Sequence, residues 1–230
     1  MIRFPFLEEA GLSAAFISDK SDGDCSIRPE AEGTARRLLD PLGIDIDLVY
    51  RLRQVHGNHI LDTKRFPALM GREKDYPEAD GMITTEPGTA LGISVADCAP
   101  VILFDPEAQV LAALHAGREG TLCNIAGKAV NLLVRDYACS VASIKALIGP
   151  CAGVCCYEVS ESCAAQWQDQ GLPRQGRYLD LGQANQSQLE TAGLIRHNIV
   201  VVPHCTVCGD LFFSYRSGEI SNRNLVVVML

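Results

Sequence analysis

The most apolar stretch of this chain, Ala90–Phe104, is interrupted at Asp97 and Pro100. It falls short of the roughly 20 residues that a membrane-spanning helix needs. It reads instead as a strand, predicted over Thr89–Phe104, in which Asp97 is a carboxylate among apolar neighbours and needs a partner. Further β-rich runs at Ser13–Ser18, Leu48–Val55, Val110–Leu114, Ile144–Ile148, Ile199–Pro203, Leu211–Tyr215 and Asn224–Leu230 predict about eight strands in all. Between them Leu122, Ile125, Ala126, Ala129, Val130 and Leu133 recur at the spacing of one helix face. Gly117 and Gly120 signpost the start of that helix, Thr121 is its expected N-cap, and Arg135 and Asp136 close the pattern. Weaker helical patterns occupy Val159–Gln168 and Gln183–Gly193. Strands and helices alternate irregularly and the C-terminal half is strand-rich, which predicts an α/β layered sandwich with mixed β-sheets and flanking helices. No repeat, low-complexity tract or Ser/Gly/Pro linker divides the 230 residues, so a single domain over 1–230 is expected.

Composition narrows the function. With 47% hydrophobic and 21% charged residues the chain has material for a core and is not a disordered segment. Twenty basic against twenty-eight acidic residues give a net charge of −8, the wrong sign for binding a phosphate backbone, so no nucleic-acid partner is expected and only a local basic pocket remains open. Met1–Asp24 carries Glu8, Glu9, Asp19, Lys20, Asp22 and Asp24 and shows no basic segment leading into an uninterrupted apolar stretch, so neither a secretion signal nor a membrane anchor is expected. The expectation is a soluble cytoplasmic protein, monomer or homodimer. In a reducing compartment the ten cysteines read as buried small apolar residues, metal ligands or nucleophiles, with most of them in the core.

Five histidines are present, which makes each assignable. His56 follows a β-patterned stretch and precedes Gly57, a place where backbone or ligand can approach closely. His115 ends the Val110–Leu114 strand and opens a glycine-bearing loop into the helix, and strand ends in α/β folds are where ligands bind. Cys98 follows Asp97 in the apolar run. Two imidazoles and one thiolate make three of the four ligands of tetrahedral zinc and leave one position for water or substrate. Taken singly, each of the three also fits an ordinary place as a core or surface histidine or a buried cysteine. Elsewhere, Cys205 and Cys208 have the spacing of a zinc knuckle, with Cys151, Cys155 and Cys156 as candidates to complete a four-cysteine site.

Eight islands fall in one order: Gln54-Val55-His56-Gly57, Ala79-Asp80-Gly81-Met82-Ile83-Thr84, Ala96-Asp97-Cys98-Ala99-Pro100-Val101, His115-Ala116-Gly117, Ile148-Gly149-Pro150, Cys156-Tyr157-Glu158-Val159, Cys205-Thr206 and Phe212-Phe213-Ser214-Tyr215-Arg216. In this the chain resembles the laccase-domain family, first labelled multicopper polyphenol oxidase and since described as zinc-dependent purine nucleoside phosphorylases that also deaminate adenosine. The resemblance implies metal ligation by His56, Cys98 and His115, and adenosine, inosine and methylthioadenosine as substrates alongside phosphate. Copper in the laccase manner is disfavoured, because one mononuclear and one trinuclear centre need roughly ten histidines and five are present. A single copper with an axial Met82 is the remaining copper reading. Zinc in this role activates water for attack at C6 of adenosine, with Asp97 or Asp80 as the candidate proton shuttle. For phosphorolysis, Gln54, Gly117 with the loop up to Thr121, and Arg216 are the candidate substrate-binding residues.

Two departures qualify the resemblance. The family usually has His-Ala-Gly-Trp-Arg-Gly where this chain has His115-Ala116-Gly117-Arg118-Glu119-Gly120, and the N-terminal segment has Ser18–Asp24 in place of the family's Gly-Gly-Val-Ser and Ser-Leu-Asn-Leu runs. Glu119 in a cation's place implies weakened phosphorolysis. Two further readings stay open: a metal-free cysteine hydrolase with Cys98 as nucleophile, His115 as base and Asp97 or Gln54 as orienting group, and a metal-binding protein without catalysis.

Overall fold

The computed structural model describes residues 1–66, 68 and 75–230. In chain order its strands are β1 (Ile2–Arg3), β2 (Ala14–Ile17), β3 (Val49–Tyr50), β4 (Ile60–Asp62), β5 (Gly81–Thr84), β6 (Ala90–Val95) and β7 (Ala99–Asp105). They continue with β8 (Val110–Ala116), β9 (Lys145–Ile148), β10 (Arg174–Gln175), β11 (Tyr178–Leu179), β12 (Ile199–Val201) and β13 (Asn224–Met229). The helices are α1 (Pro5–Glu9), α2 (Pro29–Leu39), α3 (Arg118–Leu122), α4 (Ile125–Tyr137), α5 (Glu161–Asp169) and α6 (Leu181–Thr191).

Two large mixed sheets form the centre. One has the order β1-β2-β13-β6-β3 and the other β12-β9-β7-β8-β5-β4, while β10 and β11 form a separate hairpin. Side chains alternate across each strand, and here both faces are covered. In β7, Val101 and Leu103 face the layer of α4 and α6, whereas Ile102 and Phe104 face the space between the two sheets. In β13, Val226 and Val228 enter that same inter-sheet core, while Leu225 and Val227 turn outward beneath α2 with Ala35 and Leu39. The layers therefore run helix, sheet, sheet, helix, and the continuous apolar runs in the sequence are strands buried on both sides. The expected mixed α/β architecture is what the chain adopts.

The predicted strand over Thr89–Phe104 is two strands in different sheets. β6 ends at Val95, β7 begins at Ala99, and the turn between them contains Asp97 at φ +83°. The charge that interrupts the apolar run marks the crossing from one sheet to the other. Of Leu48–Val55 only Val49–Tyr50 forms a strand, with Arg53 in an isolated bridge to Glu78, and Leu211–Tyr215 is bends and irregular chain leading into a turn. The apolar pattern there reflects burial of Phe212 and Phe213, not strand pairing. The Leu122–Leu133 stripe is split: Asn124, at φ +55°, caps α4 by accepting a hydrogen bond from the Gly127 N–H (3.1 Å). Thr121 is not that cap but a buried residue of α3, bound by Asn185 Nδ2 (3.0 Å). Helix α2 and strands β4 and β5 were not anticipated. The core stripe of α2, Ala31, Ala35 and Leu39, is mostly alanine and gives a weak signal.

Phe104 is fully buried between the sheets. Phe104→Ala is expected to destabilise the fold by about 3–5 kcal/mol through lost burial and a residual cavity. Urea unfolding followed by the fluorescence of Trp167, the single tryptophan and itself buried, measures the loss.

Candidate functional site

Strand register assembles the site. Within the six-stranded sheet, Gly81 pairs with Leu114 and Ala99 with Ala116. One step further along each ladder, Asp80 stands beside His115 and Cys98 beside Gly117. Two bonds confirm the first juxtaposition: the His115 N–H donates to the Asp80 carbonyl (2.7 Å), and His115 Nδ1 lies 2.8 Å from Asp80 Oδ1. A side chain at Gly117 would put its Cβ 2.8 Å from Cys98 Sγ and 3.3 Å from His56 Cδ2, so only glycine allows this approach. His56 comes from the segment before β4 and holds φ +62°, a conformation that non-glycine residues adopt only when their surroundings enforce it.

Asp80 supplies the enforcement. Its carboxylate is buried and accepts hydrogen bonds from the N–H groups of Val55 (3.3 Å), His56 (2.9 Å) and Gly57 (2.6 Å) as well as from His115 Nδ1. One carboxylate thus fixes the backbone of one histidine and the ring of the other. Burial alone would raise the Asp80 pKa, but these bonds and the His115 charge hold it below the usual carboxylate range. With Nδ1 committed to Asp80, Nε2 of His115 is left for the cleft.

His56, Cys98 and His115 converge: their ligand atoms all lie within 4.8 Å of one another, and the two imidazoles meet edge to face at 4.9 Å between centroids. Burial pushes the Cys98 thiol up, but the charge on His115 and hydrogen bonds from both histidines outweigh it and bring it down to about 6. Burial correspondingly pulls His115 down, and the Cys98 charge with the Asp80 bond raises it instead, to about 9. Without a metal each charge favours the other, which shifts the pair toward thiolate and imidazolium at neutral pH. A divalent cation held by these three residues would replace the imidazolium proton as the thiolate's counter-charge, and two imidazoles with one thiolate are donors of the kind zinc takes.

Asp97 precedes Cys98, is nearly fully buried and has both oxygens engaged, Oδ1 by Thr206 Oγ1 (2.6 Å) and Oδ2 by the Arg216 N–H (2.8 Å). It ties the turn that carries Cys98 to two distant loops. Gln54 bonds the Ser94 backbone in both directions, its Nε2 donating to the carbonyl (2.7 Å) and its Oε1 accepting from the N–H (2.9 Å). The loop from Gly117 to Thr121 forms the short helix α3 and packs inward: Gly120 lies against the Gly57 carbonyl, and Thr121 is buried. Met82 packs in the inter-sheet core with Leu111 and Ala113, and the cleft is lined by other residues.

The three donors stand in a cleft of about 1070 Å³ that Arg28, Arg118, Arg216 and Arg223 also line. A chain of net charge −8 thus presents four guanidinium groups around one cavity. Arg216 lies over the Tyr157 ring at 4.5 Å and donates to the Glu158 carbonyl, whereas Arg118 is paired with Glu119 at 2.5 Å. Arg28 and Arg223 carried no motif and were missed in the sequence. Only a fold that joins the N-terminal segment to the last loop brings them here.

The family model described as multi-copper polyphenol oxidoreductase laccase matches residues 28–230. The chain is 38% identical over 215 residues to a purine nucleoside phosphorylase of Deinococcus radiodurans, covering 90% of this chain and 77% of that protein. It is 32% identical over 203 residues to adenosine deaminase RL5 from an unknown prokaryotic organism, covering 79% and 77% of the two. The crystal structure of YlmD from Geobacillus stearothermophilus superposes with a TM-score of 0.85 at 28% identity, over 94% of this chain and 91% of that one. Among the described residues no helix is long and apolar enough to cross a membrane.

A depressed thiol pKa places the thiolate above the midpoint and loses it below. In chelator-treated protein the alkylation rate of Cys98, followed by mass spectrometry, is therefore expected to rise with pH through a midpoint near 6. Asp80→Asn removes support for the His115 charge and is expected to move that midpoint upward.

Proposed function

Because this chain belongs to the family described as multi-copper polyphenol oxidoreductase laccase, with relatives named for purine nucleoside chemistry, we propose that it is a zinc enzyme that cleaves purine nucleosides with phosphate and deaminates adenosine. The observation that carries the reading is the convergence of His56, Cys98 and His115 within 4.8 Å of one another in an arginine-lined cleft large enough for a nucleoside. Among the described residues no other histidine joins a group able to hold a metal, which leaves a laccase's copper centres without ligands. A zinc ion held by these three residues would supply Lewis acidity, lowering the pKa of a water to about 7 or polarising a substrate oxygen.

The chain's own residues do the rest. Asp80 holds the His115 tautomer, and Gly117 leaves room for the sulfur. Asp97, bound by Thr206 and the Arg216 backbone, acts as a positioning residue for Cys98. In phosphorolysis a phosphate oxygen bonds to C1′ of the ribose while the bond to the purine nitrogen breaks and the purine takes a proton. In deamination a water oxygen adds at C6 and ammonia leaves. The Arg216 side chain, stacked on Tyr157, attracts phosphate; Arg223 and Arg28, the latter paired with Asp24, line the same cleft. Gln54 borders the same cleft and fixes its wall through Ser94. A metal-free cysteine dyad would need Cys98 and His115 only, and leaves His56 on the thiol unexplained. All ten cysteines are free, and thiolate ligands persist in a reducing compartment, so a cytoplasmic location is part of the proposal.

Elemental analysis paired with product analysis tests this. Cys98→Ser is expected to lose zinc from this centre and to abolish turnover of adenosine, inosine and methylthioadenosine, each assayed with and without phosphate. Full turnover by metal-free protein that thiol alkylation then abolishes would replace the reading with cysteine hydrolysis. Glu119 cancels Arg118 at the cleft. Phosphorolysis is expected to be slow relative to deamination, and Glu119→Arg to lower KM for phosphate several-fold with deamination unchanged; adenine release already fast and unaltered by the substitution would contradict this.

A further inference from the structure

A second group of sulfurs lies outside the catalytic cleft. The Sγ atoms of Cys155, Cys156, Cys205 and Cys208 all lie within 4.8 Å of one another, with Cys155 and Cys208 3.7 Å apart. Two separate loops supply them, and the backbone joins these loops at a bridge where the Cys151 N–H donates to the His204 carbonyl (3.3 Å) and the Thr206 N–H to the Cys151 carbonyl (3.0 Å). Cys151, the other candidate at this place in the sequence, is buried and uses its backbone only. Backbone N–H groups point at one of the sulfurs: Gly153 donates to Cys205 Sγ at 3.3 Å, and Val207 and Cys208 lie against the same atom. A Cβ at Gly209 would sit 2.8 Å from the Cys205 carbonyl, so the tight loop after Cys208 requires glycine.

We propose that Cys155, Cys156, Cys205 and Cys208 form a closed four-thiolate zinc site, separate from the His56, Cys98 and His115 centre. Four sulfurs fill a tetrahedron, the Cys-x2-Cys-Gly loop gives one half of it, and no protein position is left open, which is the make-up of a structural site. Four thiolates on a divalent cation leave a net charge of −2, and the N–H groups aimed at Cys205 offset part of it. Zinc suits this donor set better than calcium or magnesium, which take oxygen ligands. The site has a consequence for the cleft. Thr206 lies inside the Cys205–Cys208 loop and holds Asp97, and Tyr157, next to Cys156, carries Arg216. The ion clamps both supports of the cleft together.

Metal analysis of intact protein prepared anaerobically under reductant separates the two sites. Zinc is expected at about two ions per chain in the native protein, about one in the Cys205→Ser/Cys208→Ser double variant and about one in His115→Ala. Because the double variant can fail to fold, His115→Ala loaded with cobalt(II) gives an independent readout. It is expected to show the thiolate-to-cobalt charge transfer and intense visible bands of a four-sulfur tetrahedral site. A native content of about one ion that falls to none in the double variant and stays in His115→Ala would uphold this site while removing the catalytic reading. Unchanged zinc in a folded double variant, or cobalt-loaded His115→Ala without the four-sulfur spectrum, would overturn it. So would reduced native protein in which these four thiols titrate freely in the presence of zinc.

Discussion

The buried carboxylate of Asp80 is the interaction on which the site depends. An ionised group enclosed by protein is tolerable only when hydrogen bonds replace its water, and Asp80 collects four, three from successive backbone N–H groups and one from an imidazole. Those same bonds keep His56 in a left-handed conformation and point His115 at Cys98. Satisfying the carboxylate and building the donor set are one event. Removing the charge releases both histidines together, which distinguishes Asp80 from a residue that merely fills space beside a ligand.

The layered sheets make this possible by stiffness. β5, β8 and β7 are neighbours in one sheet, covered on both faces by apolar side chains, so their ends cannot slide without breaking two cores. The left-handed residues His56 and Asp97 sit where the chain leaves that frame. Asp97 marks the crossing between the sheets and is pinned from the far side by Thr206 and Arg216. Local strain near the donors is thus carried by the sheets and by the loops that hold Thr206 and Arg216.

Much of this was legible in the sequence for a definite reason. Strands buried on both sides are continuous apolar runs, so β8, β9 and β13 stood out, as did the α4 stripe, while β6 and β7 read as one strand. His56, Cys98 and His115 stood out because histidines are few and the surrounding motifs resemble a known family. What stayed hidden depends on pairing between segments far apart in the chain. Asp80 could be read as a proton shuttle until the β5 and β8 register set it beside His115. Thr121 matched the capping pattern but lies in a separate short helix, because Asn124 makes the cap. Leu211–Tyr215 has strand composition, yet its phenylalanines are buried without strand pairing. The cysteines were expected mostly in the core, but only Cys25, Cys139 and Cys151 are buried. Arg28 and Arg223 had no local signal at all.

The most direct test is the location of the ion in active protein. Crystals of enzyme shown to turn over adenosine, measured on both sides of the zinc absorption edge, are expected to give an anomalous peak between Nε2 of His115, the ring of His56 and the sulfur of Cys98. Active crystals with no peak there, or with those three side chains turned to different partners, would contradict the central claim.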